Sequence, residues 1–224
     1  MKLIQKILAV PALIFSCSTG AASAETPVLV ELFASHNCKV CPQAYDTLRE
    51  IESERGDDVL ILTWAVDYWD YLGEPDPLAL PTAAARQTAY AERFGLRGPY
   101  TPQSVYNGEK ECPATRKATV EANIDSQRSV NTPYEIEIRA ISGNRFTLTG
   151  AVPSPAQVQL VEYSRDQARS GNMVNPVIEA RSLGLWSGGS VTYAYTCESD
   201  CALIVQARDF GHVYAAKALD ESAG

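Results

Sequence analysis

The stretch VLVELFASHNCKVCP, Val28 to Pro42, decides how this chain is read. Val28–Ala34 sets six apolar side chains around a single acid, Glu31, which is the composition of a buried strand. Pro42 suits the first turn of a helix, where a missing N–H is no loss. The two cysteines therefore stand where extended chain turns into helix. Unpaired N–H groups and the positive end of the helix dipole gather at such a point and stabilise a thiolate. Lys39 adds a positive charge. A free cysteine titrates near about 8.5, and sites of this kind bring it into or below the neutral range. Cys38 is expected to attack a partner disulfide, and Cys41 to release the resulting mixed disulfide.

Two other readings of the pair stand beside this one. C-x-x-C also holds metals, so copper or zinc could be bound by Cys38 and Cys41, with or without His36. Alternatively the pair is a structural clasp in a binding module. No Gly-rich phosphate loop or G-x-S-x-G elbow is present, and no cofactor is expected.

Upstream, residues 1–24 start with Lys2 and Lys6, run apolar from Ile7 to Phe15 and end Ala22-Ser23-Ala24. A basic start, a short apolar run and an A-x-A site describe a secretory signal peptide, too short to span a bilayer. Cys17 raises lipidation as a minor alternative. The mature chain is expected in the periplasm or outside the cell, without a membrane span, where thiols oxidise. Cleavage leaves Cys38, Cys41, Cys112, Cys197 and Cys201, an odd set. The 224 residues carry 19 basic against 27 acidic side chains, a net charge of −8. Such a surface repels phosphate backbones, so nucleic acid is not an expected partner.

Downstream, apolar runs alternate with helical patterns. The first helix is expected through about Ser53, then a strand over Val59–Val66, a helix over Ala83–Phe94, a strand over Gln103–Tyr106 ending in Asn107-Gly108, and a helix over Pro113–Arg128. That alternation implies an α/β unit. From Thr132 the period changes to two, with about seven short strands suggesting a small antiparallel sandwich. The boundary falls near Asn131-Thr132-Pro133, giving units of 25–131 and 132–224. Cys197 and Cys201 flank Glu198-Ser199-Asp200; if these form a three-residue hairpin loop the two Cβ atoms face each other, and a structural disulfide is expected. Cys112 is then unpaired, or bonds to one of them. His212 reads as a structural residue.

Phe94-Gly95-Leu96-Arg97-Gly98-Pro99-Tyr100-Thr101-Pro102, followed by a strand and an N-G turn, resembles the thioredoxin superfamily when joined to the strand–C-x-x-C–helix unit. The resemblance implies a mixed sheet flanked by helices, and a cis peptide before Pro102. It also implies that Thr101 and Pro102 face the cysteines and hold substrate backbone. It places Glu31 roughly where thioredoxins keep a buried acid that manages the resolving cysteine's proton, with one residue more before the first cysteine. A closer resemblance, carried by ELFASHNCKVCPQA, AVDYWDYLG and FGLRGPYTPQSVYNG, is to a secreted thioredoxin-like bacterial family, the domain of unknown function twelve-twenty-three. Its aromatic-acidic segment Asp67–Gly73 is either one wall of a substrate groove or an insertion packing its rings over the core. The implied partners are thiol- or disulfide-containing proteins or small molecules, with an unidentified redox partner.

Overall fold

A computed structural model of the chain describes residues 26–131, 134–166 and 171–219. The expected leader, with Cys17, and the boundary residues Thr132 and Pro133 lie outside them. Strand β1 (Val28–Ala34) leads into helix α1 (Cys41–Arg55), and β2 (Val59–Ala65) follows. Next come α2 (Pro81–Arg93), β3 (Gln103–Tyr106), β4 (Lys110–Cys112) and α3 (Lys117–Asn131). These strands make one mixed sheet of order β2-β1-β3-β4. In it β1 runs parallel to β2, with Val28 opposite Val59, and antiparallel to β3, with Val30 opposite Tyr106. The third helix starts four residues later than its expected first residue, because Pro113–Arg116 complete a turn out of β4, a strand too short to have a period of its own.

Seven antiparallel strands follow: β5 (Glu137–Ile141), β6 (Arg145–Gly150), β7 (Ala156–Tyr163), β8 (Val177–Trp186), β9 (Gly189–Ala194), β10 (Asp200–Ala207) and β11 (Val213–Leu219). They form a four-stranded sheet, β11-β10-β7-β8, and a three-stranded one, β5-β6-β9. Ile138, Phe146 and Leu148 from the small sheet pack with Val158, Leu160, Leu203 and Val205 from the large one.

The large sheet is buried on both faces, as its alternation shows. Along β10, Cys201, Leu203 and Val205 face the small sheet, while Ala202 and Ile204 face the mixed sheet. The mixed sheet is likewise covered twice. Val28, Val30, Leu32 and Ala34 pack under α1 and α3, against Leu48, Ile51, Val120 and Ile124. Leu29 and Phe33 point the other way, toward Ala83 and Tyr90 of α2 and toward Val161, Tyr163 and Ile204 of the large antiparallel sheet. A strand covered on both sides has no polar face, which is why VLVELFA reads as a nearly continuous apolar run.

One segment crosses between the two halves. Gly171–Pro176, before β8, lies along the outer edge of β2. Thr63 donates from its backbone N to Asn175 O at 3.0 Å, and Thr63 Oγ1 donates to Val174 O at 2.5 Å. Pro176 bridges Thr63 in parallel sense. Asn175 Nδ2 reaches Ile61 O at 3.0 Å and Glu52 of α1 at 2.5 Å. Met173 and Val174 are buried in the core that also holds Cys38 and Cys41. The strap pairs an edge that would otherwise be open to other chains.

Candidate functional site

Ser35–Val40 link β1 to α1. Cys38 N donates to Ser35 O at 3.1 Å and Cys41 N to Cys38 O at 3.2 Å, coiling the link into two tight turns. Asn37 N donates to Ser35 Oγ at 3.1 Å. Cys38 and Cys41 form a disulfide with their Cα atoms 5.4 Å apart. Cys41 opens α1, Pro42 occupies its first turn, and no acid lies in that turn to offset the dipole. The two sulfur-bearing residues differ in access. Cys38 keeps 8% of its surface and Cys41 none, while Lys39 and Val40 between them are exposed. An outer and an inner sulfur at a helix N-terminus is an arrangement compatible with thiol–disulfide exchange.

The segment after β2 closes on this link. Asp76, 5% exposed between two prolines, accepts His36 N at 2.8 Å and Leu78 N at 3.0 Å, and pairs with His36 Nδ1 at 2.9 Å. His36 Nε2 meets Gly171 O of the strap at 3.2 Å. Gly171 has φ +53°, and a Cβ there would fall 1.8 Å from His36 Nε2, so the approach requires glycine. Both ring nitrogens of His36 are engaged, which takes it out of the ligand set in which it joins the two cysteines around copper or zinc. Asn37 Nδ2 also holds Glu74 O, at 3.0 Å.

The aromatic loop divides its labour. Trp69 packs against both cores of the mixed sheet and donates from Nε1 to Thr101 Oγ1 at 2.8 Å. Tyr68 donates to Gln87 Oε1 at 3.1 Å, and burial pushes its phenol up to about 12. Tyr71 and Leu72 remain 76% and 55% exposed. The Thr101–Pro102 peptide is cis. On either side of it, Gln87 Nε2 donates to Tyr100 O at 2.7 Å and to Gln103 Oε1 at 2.9 Å. Gln87 and Trp69 thus hold the Thr-Pro loop from two directions. Nothing in the sequence patterns marked Gln87, Asp76 or Gly171, although Pro75-Asp76-Pro77 and Gly171-Asn172 are turn signals that place them in loops.

Contrary to the placement implied by the thioredoxin resemblance, Glu31 does not lie on the sheet face whose core holds the cysteine pair. Its side chain follows Leu29 and Phe33 to the opposite sheet face. There, fully buried, it accepts Arg86 Nε at 2.5 Å, Arg86 Nη2 at 3.0 Å and the Tyr90 hydroxyl at 2.6 Å. Arg86 continues to Gln159 of β7 at 3.1 Å and Gln206 of β10 at 2.9 Å, with its guanidinium 5.1 Å from the Trp64 ring centroid. The physical reason is the strand period of two: with one residue more before the first cysteine, parity turns the acid away. The acid inside VLVELFA is explained by a buried ion pair with Arg86 of α2, whose guanidinium also donates to Gln159 and Gln206 of the second half.

Cys197 and Cys201 are also bonded, with Cα atoms 6.3 Å apart, but not across a hairpin, since β9 and β10 belong to different sheets; Glu162 Oε1 accepts Glu198 N at 3.1 Å and Ser199 N at 3.0 Å within the loop they close. Cys112 is a free thiol. Its sulfur lies 3.3 Å from Asn123 Nδ2, 3.4 Å from the Tyr106 hydroxyl and 3.6 Å from Ser104 Oγ. No described helix is long and apolar enough to cross a membrane.

The family described as "Protein of unknown function (DUF1223)" matches residues 29–199, and the chain belongs to it. Among solved structures it is similar to a protein of Agrobacterium tumefaciens determined as a structural genomics target. The two share 26% identity at a TM-score of 0.76, over 88% of this chain and 96% of that one. HBP35 of Porphyromonas gingivalis shares the fold at 16% identity and a TM-score of 0.56, over 89% of this chain and 78% of that one. No curated protein matches.

Proposed function

We propose that this protein is an extracytoplasmic thiol–disulfide oxidoreductase of thioredoxin-like architecture, in which residues 25–131 carry the redox pair and 132–224 a β-rich companion unit. The observation that carries the reading is the disulfide between the outer Cys38 and the inner Cys41 at the start of α1. The cis Thr101–Pro102 peptide, tethered through Trp69 to the same region, supports it, and we assign those two residues to substrate backbone. Two disulfides suit an oxidising compartment, periplasmic or secreted.

In the reduced protein the Cys38 thiolate attacks one sulfur of a substrate disulfide. A mixed disulfide forms and one substrate thiolate leaves. Cys41, deprotonated, then attacks Cys38 Sγ and expels the second substrate thiolate. The substrate gains two electrons and two protons, and the pair becomes the disulfide of the structure. The reverse sequence oxidises a substrate dithiol. Glu31 has no part in either direction.

The test is exchange with dithiothreitol and with a cystine peptide. Cys38→Ser is expected to reduce both to the uncatalysed rate, and Cys41→Ser to accumulate a mixed disulfide at Cys38. Wild-type rates in Cys38→Ser would sink the assignment.

A further inference from the structure

Among the described residues, six large hydrophobic side chains are exposed, and three of them, Val40, Tyr71 and Leu72, belong to the cysteine link and the loop pinned beside it. Val40 lies between the two cysteines. Tyr71 and Leu72 belong to the loop that Asn37, His36 and Thr101 hold by Glu74 O, Asp76 and Trp69. The ring of Tyr71 is 6.1 Å from that of Trp69. A Cβ on Gly73 would meet Asn37 Oδ1 at 2.6 Å, so the loop's backbone lies directly on the segment entering Cys38. Apolar groups left in water on a well-anchored loop mark a contact surface. A platform fixed beforehand loses little entropy when it is covered.

Charge narrows what covers it. Asp67, Asp70 and Glu74 flank Tyr71 and Leu72, and none of them forms an ion pair among the described residues. Asp70 Oδ1 is taken by Asp76 N at 3.0 Å, which leaves its charge uncompensated. Against these carboxylates the neighbouring cysteine link offers Lys39, while His36 is committed to Asp76. The rim therefore favours cationic groups and disfavours additional carboxylates.

We propose that Val40, Tyr71 and Leu72, with Asp67, Asp70 and Glu74 around them, dock a polypeptide substrate whose cysteine is flanked by apolar and basic side chains. The inference rests on the redox reading and supplies its substrate class. Apolar side chains of the substrate lie on Tyr71 and Leu72, and its basic side chains face the carboxylates. This brings the substrate sulfur to Cys38, the outer member of the pair.

The experiment measures kcat/KM for three oxidised substrates: a cystine peptide with Leu and Lys beside each half-cystine, the same peptide with Glu in place of Lys, and glutathione disulfide. Each value is divided by the rate with dithiothreitol. The expected order is Lys peptide, Glu peptide, glutathione disulfide, with the first gap narrowing as salt is added. Tyr71→Ser/Leu72→Ser is expected to lower the Lys-peptide ratio about tenfold, the cost of losing a hot-spot contact. Asp67→Asn/Glu74→Gln is expected to bring the two peptides together. Equal ratios for all three substrates, unmoved by either double variant, would overturn the docking surface while leaving the redox reading intact. Absence of exchange with dithiothreitol in the wild-type protein would overturn the redox reading and this inference with it.

Discussion

The two faces of the mixed sheet are built to different ends. On one, β1 offers Val28, Val30, Leu32 and Ala34 to α1 and α3, and the only chemistry is sulfur at the rim. On the other, Leu29 and Phe33 flank Glu31, whose carboxylate holds Arg86 and Tyr90 of α2, while Arg86 in turn donates to Gln159 and Gln206 of the antiparallel sheet. The first face carries a disulfide at the edge of dry packing. The second spends its buried charge on joining the halves. A buried ion pair adds little over well-packed apolar residues, but removing one partner strands the other charge. Polarity inside a strand is thus no guide to catalysis until its face is known.

The sharpest way to break this contrast is on the ion-pair face. Arg86→Met is expected to lower the unfolding free energy by about 3–5 kcal/mol, because Glu31 is left charged and buried. Urea denaturation measures the loss, and the folded fraction should keep its rate with dithiothreitol. A loss of rate without a loss of stability would tie Glu31 to the cysteine pair after all. On the cysteine face, Met173→Ala is expected to cost about 2–5 kcal/mol, as for other buried methionines cut back to alanine. Unlike Arg86→Met, it is expected to alter the exchange rate as well, because Met173 shares a core with Cys38 and Cys41.

The smallest expected effect concerns His212. Burial holds its imidazole below the usual range; Glu109 pulls it up and Arg93 pushes it down. The unfolded chain then binds a proton near about pH 6.5 that the folded chain resists. Stability from this group is fully present above that pH and is lost as pH falls through it toward the folded value. Denaturation midpoints of wild type and His212→Leu, compared above and below that pH, should differ in slope, with the variant flatter. Equal slopes would remove His212 from the acid response.

Much of the cysteine face was legible because its signals are local. An apolar run, a C-x-x-C, a proline at a first helical turn and a Thr-Pro before a short strand each act over a few residues, and each lies in the element or loop expected. The strand count of the second half was legible from its alternation and turns. Glu31 shows where local reading stops: its identity marked it as unusual, but its face hung on one residue of parity, and its partner lies 55 positions away. The strap is a stronger case. Gly171–Pro176 completes the edge of β2 and the core beneath α1 from the far half, so the division near residue 131 does not divide the cores.

By itself, then, the amino-acid order determined which segments coil or extend and where a disulfide could form at a helix start, because those outcomes rest on short-range periodicity, turns and dipoles. Only the tertiary structure decided that the buried acid, through Arg86, braces two sheets, that His36 bridges Asp76 and the strap, and that Tyr71 and Leu72 stand in water on a loop held against Asn37. Those outcomes are contacts between residues distant in the chain, and they are settled by packing three sheets against one another.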